Sequence, residues 1–187
     1  MPFLSIVTRT YNRPEALQQC KRSIAGQADQ DLEHLVLRDT VGVGVAEAQR
    51  LLLNADPRSE YVMILDDDNL LASPWFVSDL KACSAAYDPD VIVFKMNNAE
   101  FGILPDAYAW QQKPVHGHVD GQNVAVKLHV WDKCIWSIAT DGEGGGPVYH
   151  SDFIYIQEVW AYTQRIHWMD KIQVVVSRVS RGVMEGA

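Results

Sequence analysis

Apolar positions in the first half of the chain switch repeatedly between two spacings. Phe3-Leu4-Ser5-Ile6-Val7, Leu32 to Leu37, Tyr61 to Leu65 and Val91 to Phe94 are short apolar runs of β-like composition, and each predicts a strand. Between them lie stretches of helical period. Pro14 to about Ala25 carries Leu17, Cys20 and Ile24 on one stripe, and Val45 to Asn54 reads as a second helix after the turn residues Gly42 and Gly44. Ser73 to Tyr87 reads as a third, with Ser73 as N-cap and Pro74 at the first helical position. Strand and helix alternating in this way imply an α/β fold with an open, mostly parallel central sheet flanked by helices.

Beyond Asn97 the pattern breaks into short apolar pieces interrupted by Gly102, Pro105, Pro114, Gly117 and Gly121, which predicts hairpins and loops. Gly142 to Pro147 reads as a mobile loop or a plain surface linker. Ser151 to Thr163 is expected to be a helix starting at Ser151 or Asp152, and Ile172 to Val176 a last strand. The expectation is one domain over 1–187, with a regular half, 1–97, and an irregular half, 98–187. No internal repeat or low-complexity tract interrupts it.

At 187 residues, 48% hydrophobic and 21% charged, the chain can bury a substantial core. No apolar run approaches the ~20 residues of a membrane span, and Met-Pro-Phe-Leu-Ser at the start lacks the features of a secretion signal, so a cytoplasmic protein without a membrane span is expected. Cys20, Cys83 and Cys134 show no metal or disulfide spacing. The net charge of -8 repels polyanions, so a phosphate-bearing ligand would need a metal or a local arginine cluster.

Candidate chemistry concentrates at Tyr61-Val-Met-Ile-Leu-Asp66-Asp67-Asp68-Asn69, an apolar run that stops on three acids. In an extended chain Asp66 and Asp68 project together and Asp67 points away. Two convergent carboxylates suit a hard divalent cation with oxygen ligands; the alternative is a solvated acidic turn. In open parallel sheets ligands bind at the carboxyl ends of the strands. Thr8 to Tyr11, Asp39 and Asp66 to Asp68 all lie at such ends, so three polar segments should converge on one crevice.

Phe-Leu-Ser-Ile-Val-Thr-Arg-Thr-Tyr-Asn-Arg-Pro, with Asp39 and Leu-Asp-Asp-Asp-Asn, resembles the GT-A-fold glycosyltransferases of the family 2-like kind over roughly the first 100 residues. The resemblance implies that Thr8, Thr10, Tyr11, Asn12 and Arg13 wrap a nucleotide and that Asp39 contacts its base. It also implies that Asp66 meets the ribose, that Asp68 holds Mn²⁺ or Mg²⁺ with help from Asp66, and that Asp67 lines the nucleotide-sugar site. A cation with few carboxylate ligands completes its shell with phosphate oxygens, which suits a nucleotide diphosphate sugar. The bland readings are that Tyr11 packs, Arg13 opens a helix and Asp39 braces a turn.

Inverting transfer needs a general base. The resemblance places it at Asp152 in Val148-Tyr-His-Ser-Asp-Phe153, although Ser151 stands where an acid is usual. Asp152 could instead only favour a helix N-terminus; Asp120, Asp132 and Glu143 are the other candidates. His150 and His167 are possible further ligands, Arg178 and Arg181 could reach a diphosphate, and Trp110 and Trp131 could form an aromatic platform.

The expected activity is a metal-dependent hexosyl- or related transferase acting from a nucleotide diphosphate sugar to an unidentified hydroxyl acceptor, with inversion. A catalytically silent nucleotide-sugar-binding or scaffolding domain is the alternative. Gly42-Val-Gly44-Val-Ala-Glu47 fails as a dinucleotide fingerprint at its third glycine position. Receivers and Asp-x-Asp phosphatases carry their acids after the first strand, where Thr8-Arg9-Thr10 stands. A sugar-nucleotide pyrophosphorylase would start with a glycine-rich loop that is absent.

Overall fold

A computed structural model describes residues 1–43, 49–139 and 151–176. Its strands are β1 (Leu4–Thr10), β2 (Leu32–Arg38), β3 (Tyr61–Ile64), β4 (Asn69–Leu71), β5 (Val91–Asn98), β6 (Gly102–Leu104), β7 (Val124–Lys127) and β8 (Ile166–Val176). Its α-helices are α1 (Pro14–Ala25), α2 (Phe76–Tyr87), α3 (Leu128–Cys134) and α4 (Ser151–Tyr162). Short 3₁₀ turns cover Leu51–Asn54 and Ile135–Ala139. The part of the expected 45–54 helix before residue 49, and the loop expected over 142–147, lie outside the described residues.

The strands form one sheet in the order β2-β1-β3-β7-β5-β8-β4, with β6 paired to β5. From the pairings, β1, β2, β3, β5 and β8 run one way and β4, β6 and β7 the other, so the sheet is mostly parallel in direction. β7, from the irregular half of the sequence, lies antiparallel between β3 and β5 and completes the centre of the sheet.

Alternation assigns each central strand two faces. Ile6, Tyr61, Met63, Ile92 and Phe94 pack with Cys20 and Ile24 of α1 and Phe76, Val77 and Leu80 of α2. Val7, Val62, Ile64, Val91 and Val93 pack on the other side with Val130 and Trp131 of α3 and Tyr155, Ile156 and Val159 of α4. Both faces are therefore covered by helices, which is why the strands read as nearly continuous apolar runs.

α1 has the expected limits: Pro14 opens it, and the Gly26 N–H donates to the Arg22 carbonyl at 2.9 Å to close it. α2 starts at Phe76, later than the expected Ser73. The Ser73 carbonyl accepts from the Gln27 side chain at 2.8 Å, and the Pro74 carbonyl accepts from the Ala28 N–H at 2.8 Å. These bonds to the end of α1 hold 73–74 outside the helix, whose first turn is closed by Asp79 N–H to the Trp75 carbonyl at 2.8 Å.

β3 and β4 are consecutive in sequence yet lie four places apart in the sheet. A flat path of that length would be about 19 Å at the usual strand spacing. The link from Ile64 to Asn69 reaches at most roughly 17 Å fully extended. It is shortened further by a turn in which Asn69 N–H donates to the Asp66 carbonyl at 3.0 Å. The sheet must therefore curl, carrying β8 and β4 back toward β3 and α1. The three aspartates occupy the crossing. Among the described residues no helix is long and apolar enough to cross a membrane.

Phe76 is fully buried and meets Phe94 edge-on at 5.3 Å between ring centroids, joining α2 to β5. Phe76→Ala should lower unfolding free energy by about 3–5 kcal/mol, measured by urea denaturation; a loss below ~1 kcal/mol would show that this contact does not anchor α2.

Candidate functional site

β1, β2 and β3 are parallel neighbours, so their carboxyl ends share one edge of the sheet. The segments leaving that edge are 11–13, 39–43 and 65–68. They converge as the strand order requires; two arginines tie the end of β1 and 11–13 to the aspartates, and Asp39 N–H donates to the Thr10 carbonyl at 2.9 Å.

Pairing with β1 continues one residue past β3, through Leu65 N–H to the Val7 carbonyl at 3.0 Å. Asp66 therefore falls on the same face as Val7 and Arg9. Its Oδ1 lies 3.1 Å from Arg9 Nε, and its Oδ2 accepts from Gln122 Nε2 at 2.6 Å. Asp67 falls on the opposite face and is fully buried, with Oδ1 2.6 Å from Arg13 Nη2. Asp68 does not return to the side of Asp66, as strict alternation would have it. The turn begins at Asp67, so Asp68 shares Arg13, with Oδ2 3.0 Å from Nη1. Burial pushes the Asp67 pKa up, while Thr10 and Arg13 pull it down.

On the Arg9 side a second set of groups faces the turn. Asp152, in the first turn of α4, has its pKa raised to about 7, by burial first and then by the negative charge of Asp66. Arg9 and a hydrogen bond from Gln49 act in the opposite sense. Asp120 is raised to about 6, chiefly by burial and again with a contribution from Asp66. Burial works against the charge of Arg9 itself, but Asp66, Asp152 and Asp67 outweigh it and raise its pKa. Gln122 also accepts from the Asp66 N–H at 3.3 Å and from the Asn69 side chain, so one amide clamps both ends of the aspartate turn.

The remaining expected nucleotide contacts are placed unevenly. Thr8 is fully buried, with its hydroxyl 2.8 Å from His34 Nε2, so it stands inside the sheet and not on the crevice wall. Thr10 is buried beside Asp67. Tyr11 is 48% exposed, and Asn12 has a left-handed φ of 49°. Asp39 accepts three backbone N–H groups: Val41 at 2.9 Å and Gly42 at 2.8 Å on Oδ1, and Val43 at 2.9 Å on Oδ2. Burial opposes its ionisation, yet these bonds hold its pKa below the usual range. Asp39 thus builds the 39–43 loop. Gly42, with φ of 74°, lies so close to the Tyr11 ring that a Cβ would sit 2.4 Å from the phenol oxygen.

Other expected candidates lie elsewhere. Asp132 is exposed on α3 near Met1 and Glu60, at the opposite sheet edge. His167 stacks on Tyr87 at 4.0 Å near the start of β8, also away from the site. Trp131 is buried against Tyr155, so it offers no platform; Trp110 meets Trp168 edge-on at 5.1 Å, with Lys95 Nζ 4.7 Å from its ring. His150, Glu143, Glu47, Arg178 and Arg181 lie outside the described residues. Gln49 and Gln122 are site residues absent from the sequence expectation, and Arg9 stood there within the Thr8 to Tyr11 segment with no partner assigned. Arg9 alone carried a readable signal, its shared parity with Val7 at the end of a strand.

The crystal structure of S. aureus TarS superposes with a TM-score of 0.69 at 13% identity, covering 94% of this chain and 36% of that one. TarS 1–349 in complex with UDP gives a TM-score of 0.69 at 14% identity, over 94% of this chain and 60% of that one. The mannosyltransferase PcManGT from Pyrobaculum calidifontis, in complex with GDP-Man and Mn²⁺, gives 0.62 at 17% identity, over 97% and 58%. The fold is of the GT-A type. No protein-family model matches the chain, and no curated protein matches it at a significant level. This GT-A chain spans at most three fifths of the length of these neighbours, with 60% the largest share.

Because Asp66 raises the Asp152 pKa and Arg9 lowers it, Asp66→Asn removes the repulsion and frees Arg9. The Asp152 carboxyl, followed by carbon NMR, should then titrate below its parent midpoint, with the upward push of burial retained. An unchanged midpoint would show that the two carboxylates do not sense each other.

Proposed function

We propose that this GT-A chain is a glycosyltransferase that moves a sugar, a hexose or a close relative, from a nucleotide diphosphate sugar to a hydroxyl acceptor, with inversion and with a divalent cation. The observation that carries the reading is the carboxyl edge itself. The ends of β1 and β3 bring two arginines beside Asp66, Asp67 and Asp68, and α4 brings to the same place a carboxyl poised near pH 7. Neighbours of the same fold hold UDP, UDP-GlcNAc or GDP-Man with Mn²⁺, which supports a nucleotide sugar as donor.

The donor set fits a phosphate-bridged cation better than a protein cage. Among the described residues no group of three or more His, Cys, Asp or Glu is arranged to hold a metal. Mg²⁺ and Mn²⁺ sites of this kind need only one or two carboxylates, because substrate phosphates complete the shell. Asp68 is the better ligand. Its side chain is 19% exposed, and its described partner, Arg13, occupies only Oδ2. Both oxygens of Asp66 are already engaged, so it suits a ribose hydroxyl or a water-mediated contact. When bound, the cation would neutralise charge growing on the departing diphosphate.

The remaining steps belong to the chain. The exposed Tyr11 and the 39–43 loop that Asp39 braces form the wall for the nucleoside base. Asp152 in its carboxylate form takes the proton of the acceptor hydroxyl as that oxygen bonds to the anomeric carbon. The bond from that carbon to the diphosphate oxygen breaks, and the nucleoside diphosphate leaves with the electron pair. A base whose pKa is about 7 is half-ionised at neutral pH yet still strong enough to accept the proton.

Incubation with UDP-GlcNAc and with GDP-mannose, with and without Mn²⁺, should release nucleoside diphosphate only with the metal. The rate should rise with pH through about 7, as Asp152 ionises. Asp152→Asn should slow turnover by about 10²- to 10⁴-fold. Asp68→Ala should abolish the metal-dependent rate with the circular dichroism unchanged; full activity in that variant would sink the mechanism. Binding without turnover, unaltered in Asp152→Ala, would favour a silent binding domain.

A further inference from the structure

Arg13 is shared between two aspartates, and its two contacts are not equivalent. Nη2 lies 2.6 Å from Asp67, which is fully buried, and Nη1 lies 3.0 Å from Asp68, which is partly exposed. Giving up the first contact would strand a buried charge, a costly change. Giving up the second exposes a carboxylate that water or a cation can satisfy, and a pair open to solvent on one side contributes less than a buried one. The backbone sets where the guanidinium starts. Asn12 turns the chain with φ of 49°, Pro14 opens α1, and Arg13 between them is aimed across at the turn.

On the reading of Asp68 as cation ligand, we propose that Arg13 is the resident counter-ion of Asp68, displaced only when cation and nucleoside diphosphate arrive together. The cation takes Asp68. The released Nη1 arm, still tethered through Nη2 to Asp67, turns to a phosphate oxygen, for which a guanidinium is well suited. A cation arriving alone meets a positive charge already seated on its ligand. With the diphosphate present, both positive groups gain an anionic partner. Arg13 thereby couples the two ligands, and the coupling is reciprocal: each tightens the other by the same factor. The arginine makes cation capture conditional on the donor.

The test is a Mn²⁺ titration of the full chain by electron paramagnetic resonance, with no nucleotide, with UDP and with GDP. Arg13→Gln should bind Mn²⁺ alone about two- to fivefold more tightly than the parent, the scale of one partly screened ion pair. The tightening produced by UDP or GDP should shrink in the same variant. Mn²⁺ alone binding the variant no more tightly than the parent overturns the proposal. Should Arg13→Gln unfold because Asp67 is stranded, Arg13→Gln with Asp67→Asn removes the buried charge together with the guanidinium and must still bind Mn²⁺ alone more tightly than Asp67→Asn does. A parent that binds no Mn²⁺ even with UDP or GDP removes the cation reading itself. A parent that does, beside variants with unaltered nucleotide-free affinity, removes only the role of Arg13.

Discussion

Three carboxylates in sequence at the end of a buried strand repel one another, and this site tolerates them because two guanidinium groups stand on opposite sides of the turn. Arg9 projects from β1 on the α4 face and takes Asp66; Arg13 reaches from the start of α1 and takes Asp67 and Asp68. The same ion pairs fix the geometry of the crevice, since Arg9 joins the end of β1, and Arg13 the loop after it, to the turn after β3. Arginine suits this duty better than lysine, because a planar fork can serve two acceptors at once. Arg13 does so with separate nitrogens.

The sheet face on which a residue falls decides its chemistry here. On the α4 side, burial and mutual repulsion push the carboxyls of Asp152 and Asp120 up toward neutrality. On the α1 side, Asp67 and Asp68 keep a close cationic partner in Arg13. Asp66 stands on the α4 side, where its charge is felt by Arg9, by Asp152 and by Asp120.

Much of the first hundred residues was legible because each element there obeys one period with clear punctuation. β1, β2, β3 and β5 are short apolar runs, and α1 runs from Pro14 to Ala25 with one stripe inward. The convergence of 11–13, 39–43 and 65–68 followed from parallel order alone. Asp68 was misdirected because alternation was carried one residue too far, past a turn that Asn69 closes. β7 was not read, since Val124 to Lys127 is four residues long and its place depends on distant strands. Gln122 was hidden with it. Nothing local marks that amide, which reaches Asp66 only because β7 enters the middle of the sheet and carries its preceding loop across the end of β3.

That late insertion shapes how the chain acquires its structure. β3 and β5 are made early but have no direct pairing with each other; the strand that joins them is made some thirty residues after β5. Until then each presents an unpaired backbone edge, and edges of this kind invite association with other chains. Closing the sheet is a non-local event with a large loop entropy to overcome, so folding should be slow for the chain's size. During synthesis, the carboxyl edge of the sheet therefore cannot be finished by the segment that contains most of its residues. The aspartate turn waits for a strand from the other half before it has a fixed shape.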